Sequence, residues 1–247
     1  MSERRRLDVL VVERGLAPNR ERARRLIMAG DVLVDDRPVT KAGQQVDTAA
    51  VLRVRSVPAP YVSRGGEKLA GALAAFALDV RGRLALDVGA STGGFTDCLL
   101  RHGVARVVAL DVGYGQMAWS LRQDERVTVL DRVNVRAVEP SALPFVPTLA
   151  TIDVSFISLA LVLPAVARVV ASGADVLALV KPQFEVGRER VGSGGVVRDP
   201  ALRAEAVAAV RAAAVAAGYV VRGEAESVLP GPKGNRETFL WLVAAVP

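Results

Sequence analysis

The chain has 247 residues, of which 51% are hydrophobic and only 4% aromatic, and its formal net charge is +6 at pH 7. This length suits one sizeable α/β domain with a small second module, and the charge favours a polyanionic partner: RNA, DNA or an anionic membrane surface. A single cysteine and a single histidine exclude an internal disulfide and a metal cluster of nitrogen and sulfur ligands.

The N-terminal residues bear on where the protein resides. They read Met-Ser-Glu-Arg-Arg-Arg-Leu-Asp, with no apolar core and no small-residue cleavage site, which excludes an ordinary secretory signal. The most apolar stretch, residues 155–167, is interrupted by Pro164 and is far shorter than the ~20 residues of a membrane-spanning helix. We therefore expect a cytoplasmic protein that has no membrane partner.

The first quarter of the chain predicts a small module of two helices and short strands. Asn19 is placed to cap the second helix and Gly30 to end it. A hairpin over 31–39 and a last strand over 51–54 follow. The helices are indicated by apolar residues at helical spacing, namely Leu7, Leu10, Val11, Ala23, Leu26 and Ile27.

The same segment carries much of the positive charge, because residues 1–60 contain 12 Lys or Arg against 8 Asp or Glu. Its pattern over 6–54, with Leu-Asp-x-x-Leu, Asn-Arg-x-x-Ala-x-x-Leu-Ile-x-x-Gly and Val-x-Val, resembles the S4 RNA-binding domain. The resemblance implies an α+β domain over 1–58, joined by a linker over 59–62, at a stiff Pro58-Ala59-Pro60, to a second domain over 63–247. We assign its RNA contacts to Arg4, Arg6, Arg20, Arg24 and Lys41. The alternative is a helix face that is merely solvated.

From residue 84 onward, short apolar runs alternate with helical patterns. This alternation is typical of a mostly parallel, doubly wound sheet. In such sheets ligands bind beyond the carboxyl ends of the strands. The predicted strands are 84–88, 106–111, 127–130, 149–153, 175–180, 219–227 and 238–243, with helices that begin near Gly93, Gly115, Ser158 and Pro200.

A glycine-rich turn follows the first of these strands and opens a helix, so a ligand is expected to approach its backbone closely. Gly89 and Gly94 have the spacing of a P-loop, but Phe95 stands where a P-loop needs its phosphate-binding Lys. The Gly-x-Gly-x-x-Gly fingerprint of dinucleotide sites is also absent. We assign the loop to cofactor binding, through Gly89, Ala90, Ser91, Thr92, Gly93, Gly94 and Phe95.

Acidic residues at strand ends select among the remaining cofactors. Carboxylates suit S-adenosylmethionine, which carries an ammonium, two ribose hydroxyls and a cationic sulfonium, whereas they would repel phosphates. We assign Asp111 to the ribose hydroxyls and Asp131 to the neighbourhood of the adenine amine. Asp87 either joins this cofactor site or simply caps the glycine turn.

Four charged residues stand where a buried sheet edge would not ordinarily tolerate them: Lys68, Asp153, Lys181 and Glu237. Such a cluster is either a compensated network that serves chemistry or a set of rim salt bridges. A ribose 2′-hydroxyl is a poor nucleophile, so methyl transfer to it needs alignment and removal of its proton. Lys181 is the candidate for both tasks. No metal is required, because the leaving group is a neutral thioether.

Five segments together resemble the TlyA family, historically called haemolysins, whose catalytic half is similar to FtsJ-type 2′-O-methyltransferases. The resemblance implies a Rossmann-like class I methyltransferase, a Lys-Asp-Lys-Glu catalytic tetrad formed by the four residues above, and a cytidine ribose of ribosomal RNA as substrate. It also implies two subclasses, one for the large subunit alone and an extended one for both subunits. The segments are 63–69, 89–97, 111–116, 153–159 and 181–187.

The target within the ribosome and the competing functions are further expectations. Because the chain ends at Pro247, directly after its last predicted strand, we expect methylation of 23S rRNA in the 50S subunit and little on 16S rRNA. A pseudouridine synthase is disfavoured, since Gly82-Arg83-Leu84 is followed by Ala85 and not by the catalytic Asp. A membrane-lytic protein and a non-catalytic RNA chaperone compete with the enzyme as functions, and the oligomeric state is left open.

Overall fold

The computed structural model describes residues 3–55 and 60–245. The chain divides into two compact units, Met1–Pro58 and Ala59–Pro247, here called the N-terminal and C-terminal units. Pro58 and Ala59, predicted as part of a stiff linker, lie outside the described residues. Within the described ranges no helix is long and apolar enough to cross a membrane, and no group of three or more metal-ligating side chains is placed to hold an ion.

The N-terminal unit is a small α+β fold of two helices against two short sheets. In the first sheet β1 pairs with β4, and in the second the order is β3-β2-β5. The strand β1 escapes prediction because three consecutive arginines show no alternation of apolar and polar residues, and β4 escapes it because Gln-Val-Asp is too short to show a pattern. The elements are β1 (Arg4–Arg6), α1 (Leu7–Glu13), α2 (Arg20–Met28), β2 (Val32–Val34), β3 (Arg37–Pro38), β4 (Gln45–Asp47) and β5 (Leu52–Val54).

Both predicted ends of α2 are observed. The Asn19 side chain accepts a hydrogen bond of 2.9 Å from the backbone N of Arg22, as an N-cap does. Gly30 has φ +77° just beyond the helix, a conformation that favours glycine. Of the apolar residues used to predict the helices, all are buried except Leu26, which packs at the margin of the core.

The C-terminal unit is a seven-stranded sheet in the order β11-β12-β10-β9-β6-β7-β8, with helices on both faces. Only β12 runs against its neighbours, so the predicted mostly parallel, doubly wound sheet is confirmed. Its elements are α3 (Arg64–Ala75), β6 (Leu84–Val88), α4 (Gly94–Arg101), β7 (Arg106–Asp111), α5 (Trp119–Arg122), β8 (Val127–Asp131), β9 (Leu149–Ile152), α6 (Leu159–Ala167), β10 (Asp175–Val180), α7 (Pro182–Glu185), α8 (Pro200–Ala216), β11 (Tyr219–Glu226) and β12 (Thr238–Ala244).

The core of this unit consists of small and branched aliphatic side chains on both faces of the sheet, as the scarcity of aromatic residues predicts. The helix predicted near Gly115 begins only at Trp119 and has four residues. The turn before it is instead held by side chains at the sheet edge. The parallel strands direct the carboxyl ends of β6, β7, β8, β9 and β10 to one edge, where β12 begins.

Candidate active site

The loop between β6 and α4 lies flat against the sheet edge. The backbone N atoms of Gly89 and Ala90 both donate to the Leu110 carbonyl, at 2.9 and 3.1 Å. Gly89 has φ +84°, and a Cβ there would lie 2.6 Å from the carbonyl oxygen of Asp153. Only glycine is compatible with this close approach and this backbone conformation. The loop is therefore a tight cradle built on the ends of β6, β7 and β9.

Asp111, at the end of β7, organises this cradle through backbone donors. Its Oδ2 accepts a hydrogen bond of 2.8 Å from the N of Ser91, and its Oδ1 accepts one of 2.6 Å from the N of Gly113. The Ser91 hydroxyl donates in turn to the Gln116 side chain at 3.2 Å. Gln116 was not predicted as a site residue, since it lies in a turn without periodic signal. Asp111 remains partly exposed, so its carboxylate is accessible at the edge.

Asp131, at the end of β8, lies beside Asp111 in the register of the sheet. Its Oδ2 accepts a hydrogen bond from the N of Gly115 at 3.2 Å and forms an ion pair with Arg122. The guanidinium holds the pKa of this carboxyl below its ordinary value. Asp131 is therefore an anion at the sheet edge that is paired with Arg122. The sequence did not indicate this ion pair.

Asp87 is completely buried, unlike the other two strand-end acids. Its carboxylate accepts hydrogen bonds from the hydroxyls of Thr96, at 2.6 Å, and Thr151, at 3.1 Å. Burial raises the pKa of Asp87 to about 6, because the charged form loses its hydration. These contacts fasten the first turn of α4 to β9. Asp87 therefore stabilises the structure below the loop between β6 and α4.

The loop residues differ in exposure. Ser91 and Thr92 face solvent, whereas the remaining predicted cofactor residues of the loop, Ala90, Gly93, Gly94 and Phe95 among them, are largely buried. The Phe95 ring stacks on Phe239 with centroids 6.0 Å apart, within the core. An apolar ring in place of a P-loop lysine leaves the loop without a phosphate-binding cation. The glycine cradle and the carboxylates beside it fit the ammonium and hydroxyl groups of S-adenosylmethionine.

The four charged residues form two ion pairs. Lys68 Nζ donates to Glu237 Oε2 at 2.5 Å, and both side chains are buried. Lys181 Nζ lies 2.6 Å from Asp153 Oδ1, an ion-pair contact without the direction of a hydrogen bond, and donates to the Ser155 hydroxyl at 3.0 Å. The second pair is the more open one, with 11% of the Lys181 side chain and 24% of the Asp153 side chain exposed.

Strand register brings these two pairs to the same edge. Asp153 follows β9, and its backbone N donates to the Val88 carbonyl at 2.9 Å, beside the glycine cradle. Lys181 follows β10, the neighbour of β9. Glu237 precedes β12, whose first residue pairs with the last residue of β10. The two ion pairs and the glycine cradle thus share the edge at adjacent strands. Glu237 Oε1 is buried and has no hydrogen-bond partner among the described residues.

Glu185, at the end of α7, joins the segments that carry Asp153 and Lys181, a role that the sequence did not indicate. Its carboxylate accepts hydrogen bonds from the Ser158 hydroxyl, at 2.6 Å, and from the backbone N of Leu159, at 3.0 Å. It thereby supplements the N-cap residue Ser158, whose hydroxyl accepts from the backbone N of Ala160, at the start of α6. Burial raises the pKa of Glu185.

Asn235 performs a similar task in the segment that leads to Glu237. The buried Asn235 side chain donates to the Gly195 carbonyl at 2.8 Å and accepts from the backbone N of Val197 at 2.9 Å. A glycine-rich segment and the loop before β12 are thus fastened together. Asparagine in a Pro-Gly-Pro-Lys-Gly-Asn run is typical of a turn, so its role as a clamp is visible only in the fold.

The predicted RNA contacts lie in the N-terminal unit. Arg4 and Lys41 are exposed, whereas Arg6, Arg20 and Arg24 all form ion pairs with one carboxylate, that of Asp8. The structure therefore groups three of the five predicted residues around Asp8, the acid of the Leu-Asp-x-x-Leu motif, to which the sequence by itself assigned no role.

Comparisons with known proteins agree with this architecture. The FtsJ-like methyltransferase family matches residues 61–244, and the S4 domain matches residues 5–52. A 16S/23S rRNA (cytidine-2′-O)-methyltransferase TlyA from Mycobacterium tuberculosis is 53% identical over 98% of this chain and 91% of its own length. A 23S rRNA (cytidine-2′-O)-methyltransferase TlyA from Campylobacter jejuni is 33% identical over 74% of this chain and 71% of its own.

Solved structures share this architecture. A proposed hemolysin from Streptococcus thermophilus has a TM-score of 0.79 and 43% identity, covering 99% of this chain and 90% of that protein. S-adenosylmethionine-dependent methyltransferases from Listeria monocytogenes and Mesorhizobium loti share the fold alone. They have 10% and 17% identity and TM-scores of 0.55 and 0.51, and they cover 74% and 70% of this chain and 100% and 95% of their own.

Proposed function

This chain belongs to the FtsJ-like methyltransferase family, in the TlyA group that carries an S4 domain, and we propose that it methylates the ribose 2′-hydroxyl of a cytidine in 23S rRNA. Its cofactor is S-adenosylmethionine, and its macromolecular partner is ribosomal RNA. The observation that carries the proposal is the pair of ion pairs, Lys181 with Asp153 and Lys68 with Glu237, on strands adjacent to the glycine cradle.

Lys181 orients the hydroxyl and removes its proton. Bound S-adenosylmethionine supplies an electrophilic methyl group, which a 2′-hydroxyl attacks in line only when its proton is drawn off. Lys181 first releases the proton of its resting ion pair to solvent, and its neutral amine then accepts the hydroxyl proton as the carbon–oxygen bond forms. Asp153, 2.6 Å from Nζ, stabilises the resulting ammonium, and the Ser155 hydroxyl restricts the position of Nζ. The methylated ribose and the neutral thioether then leave.

The second ion pair positions the nucleotide. Lys68 is neutralised by Glu237 Oε2, so it places no uncompensated positive charge beside the amine that must accept a proton. Glu237 Oε1 has no hydrogen-bond partner within the described part of the chain, but it is buried, so it reaches a ribose hydroxyl only if substrate binding opens the site. We assign this pair to alignment of the ribose, so that its 2′-oxygen lies in line with the methyl group.

The 23S rRNA is the target that the names of both curated relatives share, and this supports the 50S subunit as substrate. One of these relatives is also named for 16S rRNA. Methylation of the 30S subunit is therefore the activity in which the two relatives differ. Labelled cofactor with separate 30S and 50S subunits, followed by mass-spectrometric mapping of 2′-O-methylcytidine, tests both. Incorporation into 30S alone, or at a base, would contradict the proposal. An rRNA substrate would also place the enzyme in the cytoplasm.

Lys181 is tested by two replacements. Lys181→Ala should lower methyl transfer by at least about 10²-fold and leave cofactor affinity, measured by calorimetry, within about twofold. Lys181→Arg keeps a cation beside Asp153 but accepts no proton, because arginine is always charged, so it should be equally impaired. Lys233→Ala, at an exposed loop position, is the matched control. Near-normal turnover of Lys181→Arg would show that the role of Lys181 is electrostatic alone.

A further inference from the structure

Three arginine side chains of the N-terminal unit converge on one buried carboxylate. Asp8, in the first turn of α1, has no exposed surface. Its Oδ1 accepts from Arg6 Nε at 3.0 Å, and its Oδ2 accepts from Arg6 Nη2 at 3.0 Å. The same Oδ2 accepts from Arg20 Nε and Nη2, at 3.3 and 3.1 Å, and from Arg24 Nε at 3.1 Å. We call these four residues the Asp8 cluster.

The arginines of this cluster keep donors that Asp8 does not use. The Nη1 group of each makes no hydrogen bond to any residue that the structure describes, and 42%, 53% and 53% of the Arg6, Arg20 and Arg24 side chains are exposed. Three guanidiniums against one carboxylate leave a net charge of +2. The cluster is therefore an exposed cationic site on a buried anionic support.

A neighbouring turn that carries an exposed lysine is held against the cluster by its backbone. The backbone N of Asp8 donates to the Ala42 carbonyl at 3.0 Å, which holds the turn containing the exposed Lys41 against the start of α1. Gly43 lies against the Arg6 guanidinium, since a Cβ on Gly43 would be 3.2 Å from Arg6 Nη1. Backbone contact thus limits Arg6 on the side opposite Asp8.

The carboxylate stays charged because of its partners. The three arginines hold the pKa of Asp8 well below its usual range, and the Arg6 hydrogen bond is the largest cause. Guanidiniums that are already fixed lose little conformational freedom when they bind a ligand, which is the gain from preorganisation. A buried support of this kind is unnecessary for a helix face that only needs solvation.

We infer that Asp8 is a positioning residue, which holds Arg6, Arg20 and Arg24 as one preformed site for a backbone phosphate of the substrate RNA. The inference rests on the proposed rRNA methyltransferase activity and extends it to how the substrate is bound. Guanidinium groups donate two parallel hydrogen bonds to phosphate oxygens. Several guanidiniums fixed at one place therefore favour a phosphate that a folded RNA presents in one orientation. Binding to an anionic membrane surface needs only positive charge distributed over the protein surface and no fixed arrangement of guanidiniums.

Asp8→Asn in the full chain separates organisation from charge. The replacement makes the protein one unit more positive, so charge alone predicts tighter RNA binding. The inference predicts the reverse: the KM for 50S subunits should rise at least about tenfold, with kcat nearly unchanged. The slope of log Kd against log salt concentration should become shallower by about one or two phosphate contacts, each worth ~0.9 in that slope. Binding by Asp8→Asn that is as tight as that of the unchanged protein, with the unchanged salt slope, would overturn it.

Two further variants control for the change in charge and for the case in which Asp8→Asn does not fold. Asp36→Asn adds the same charge at an exposed position of the same unit, where φ of +61° suits asparagine as well as aspartate, and it should bind 50S at least as tightly. Arg20→Lys with Arg24→Lys keeps the total charge and the buried acid but removes the guanidinium forks. It should also raise KM several-fold, and if Asp8→Asn does not fold, unchanged binding by this double variant overturns the inference.

The same assay separates this inference from the function on which it rests. Absence of 50S methylation by the unchanged protein would contradict the proposed function. Methylation that is insensitive to the cluster variants would contradict the inference alone. Loss of binding to vesicles of phosphatidylserine and phosphatidylcholine by Asp8→Asn, with RNA binding retained, would assign the cluster to a membrane and overturn it as well.

Discussion

Replacing Asp87 by Asn should change how the stability of the C-terminal unit depends on pH. Asp87 is fully buried between the Thr96 and Thr151 hydroxyls, and its pKa is raised from 3.8 to about 6. A raised carboxyl pKa means that folding favours the protonated form. The resulting stabilisation is fully present below about pH 4 and is lost as the pH rises through 6. Two pKa units at ~1.4 kcal/mol each amount to about 3 kcal/mol.

Asp87→Asn keeps the shape of the side chain and has no charge to bury. The free energy of unfolding of the variant, relative to the unchanged protein, should therefore rise by about 2 kcal/mol between pH 4 and pH 7, because the unfolded carboxyl is already partly ionised at pH 4. Both tryptophans, Trp119 and Trp241, lie in the C-terminal unit, so urea denaturation followed by tryptophan fluorescence reports on this unit alone. If the altered hydrogen bonds cost the variant a constant amount of stability, this cost shifts the difference in unfolding free energy equally at every pH. It does not change how that difference depends on pH.

An exposed carboxylate provides the control of opposite sign. Asp79 has its pKa lowered to about 2 by the hydrogen bond from Arg81, so its contribution is lost only as the pH falls through that value. Asp79→Asn should accordingly show no relative gain between pH 4 and pH 7. A difference between Asp87→Asn and the unchanged protein that stays constant over this range would refute the reasoning. If Asp87 only braces the loop, the variant should also keep its cofactor affinity, whereas a large loss would make Asp87 a cofactor ligand.

Two other replacements test the geometry of the site. Gly89→Ala should abolish measurable cofactor binding by calorimetry, because its Cβ would lie 2.6 Å from the Asp153 carbonyl, whereas Gly82→Ala, at a similar positive φ with no atom within 4 Å, should cost only about 1 kcal/mol of stability. Glu185→Ala removes the acceptor of the Leu159 backbone N and should lower the free energy of unfolding by about 1 kcal/mol, with a larger fall in kcat than in cofactor affinity. Unchanged kcat at reduced stability would limit Glu185 to a structural role.

Several features of this protein follow from local sequence alone. Alternating apolar runs and helical patterns predict a parallel sheet, and parallel strands necessarily direct their carboxyl ends to one edge. The residues after those strands, among them Asp111, Asp153 and Lys181, are therefore predicted to lie together from the strand pattern by itself. The glycine cradle is equally visible, since a positive φ and a close approach leave few residue types besides glycine.

The partners of these residues depend on the tertiary structure. Lys68 and Glu237 are 169 residues apart in sequence and touch at 2.5 Å, so no pattern along the chain indicates that the four charges form two pairs. The same reason applies to Asp8 and its arginines, and to Glu185 at the start of α6. Asp87 and Asp111 are both acids near the ends of neighbouring strands, but Asp87 pairs with Ala109, two residues before Asp111 in the register. Asp87 is sealed by threonines, whereas Asp111 stays accessible. Sequence determines which residues reach the edge, whereas burial and pairing are set by side chains that arrive from distant segments.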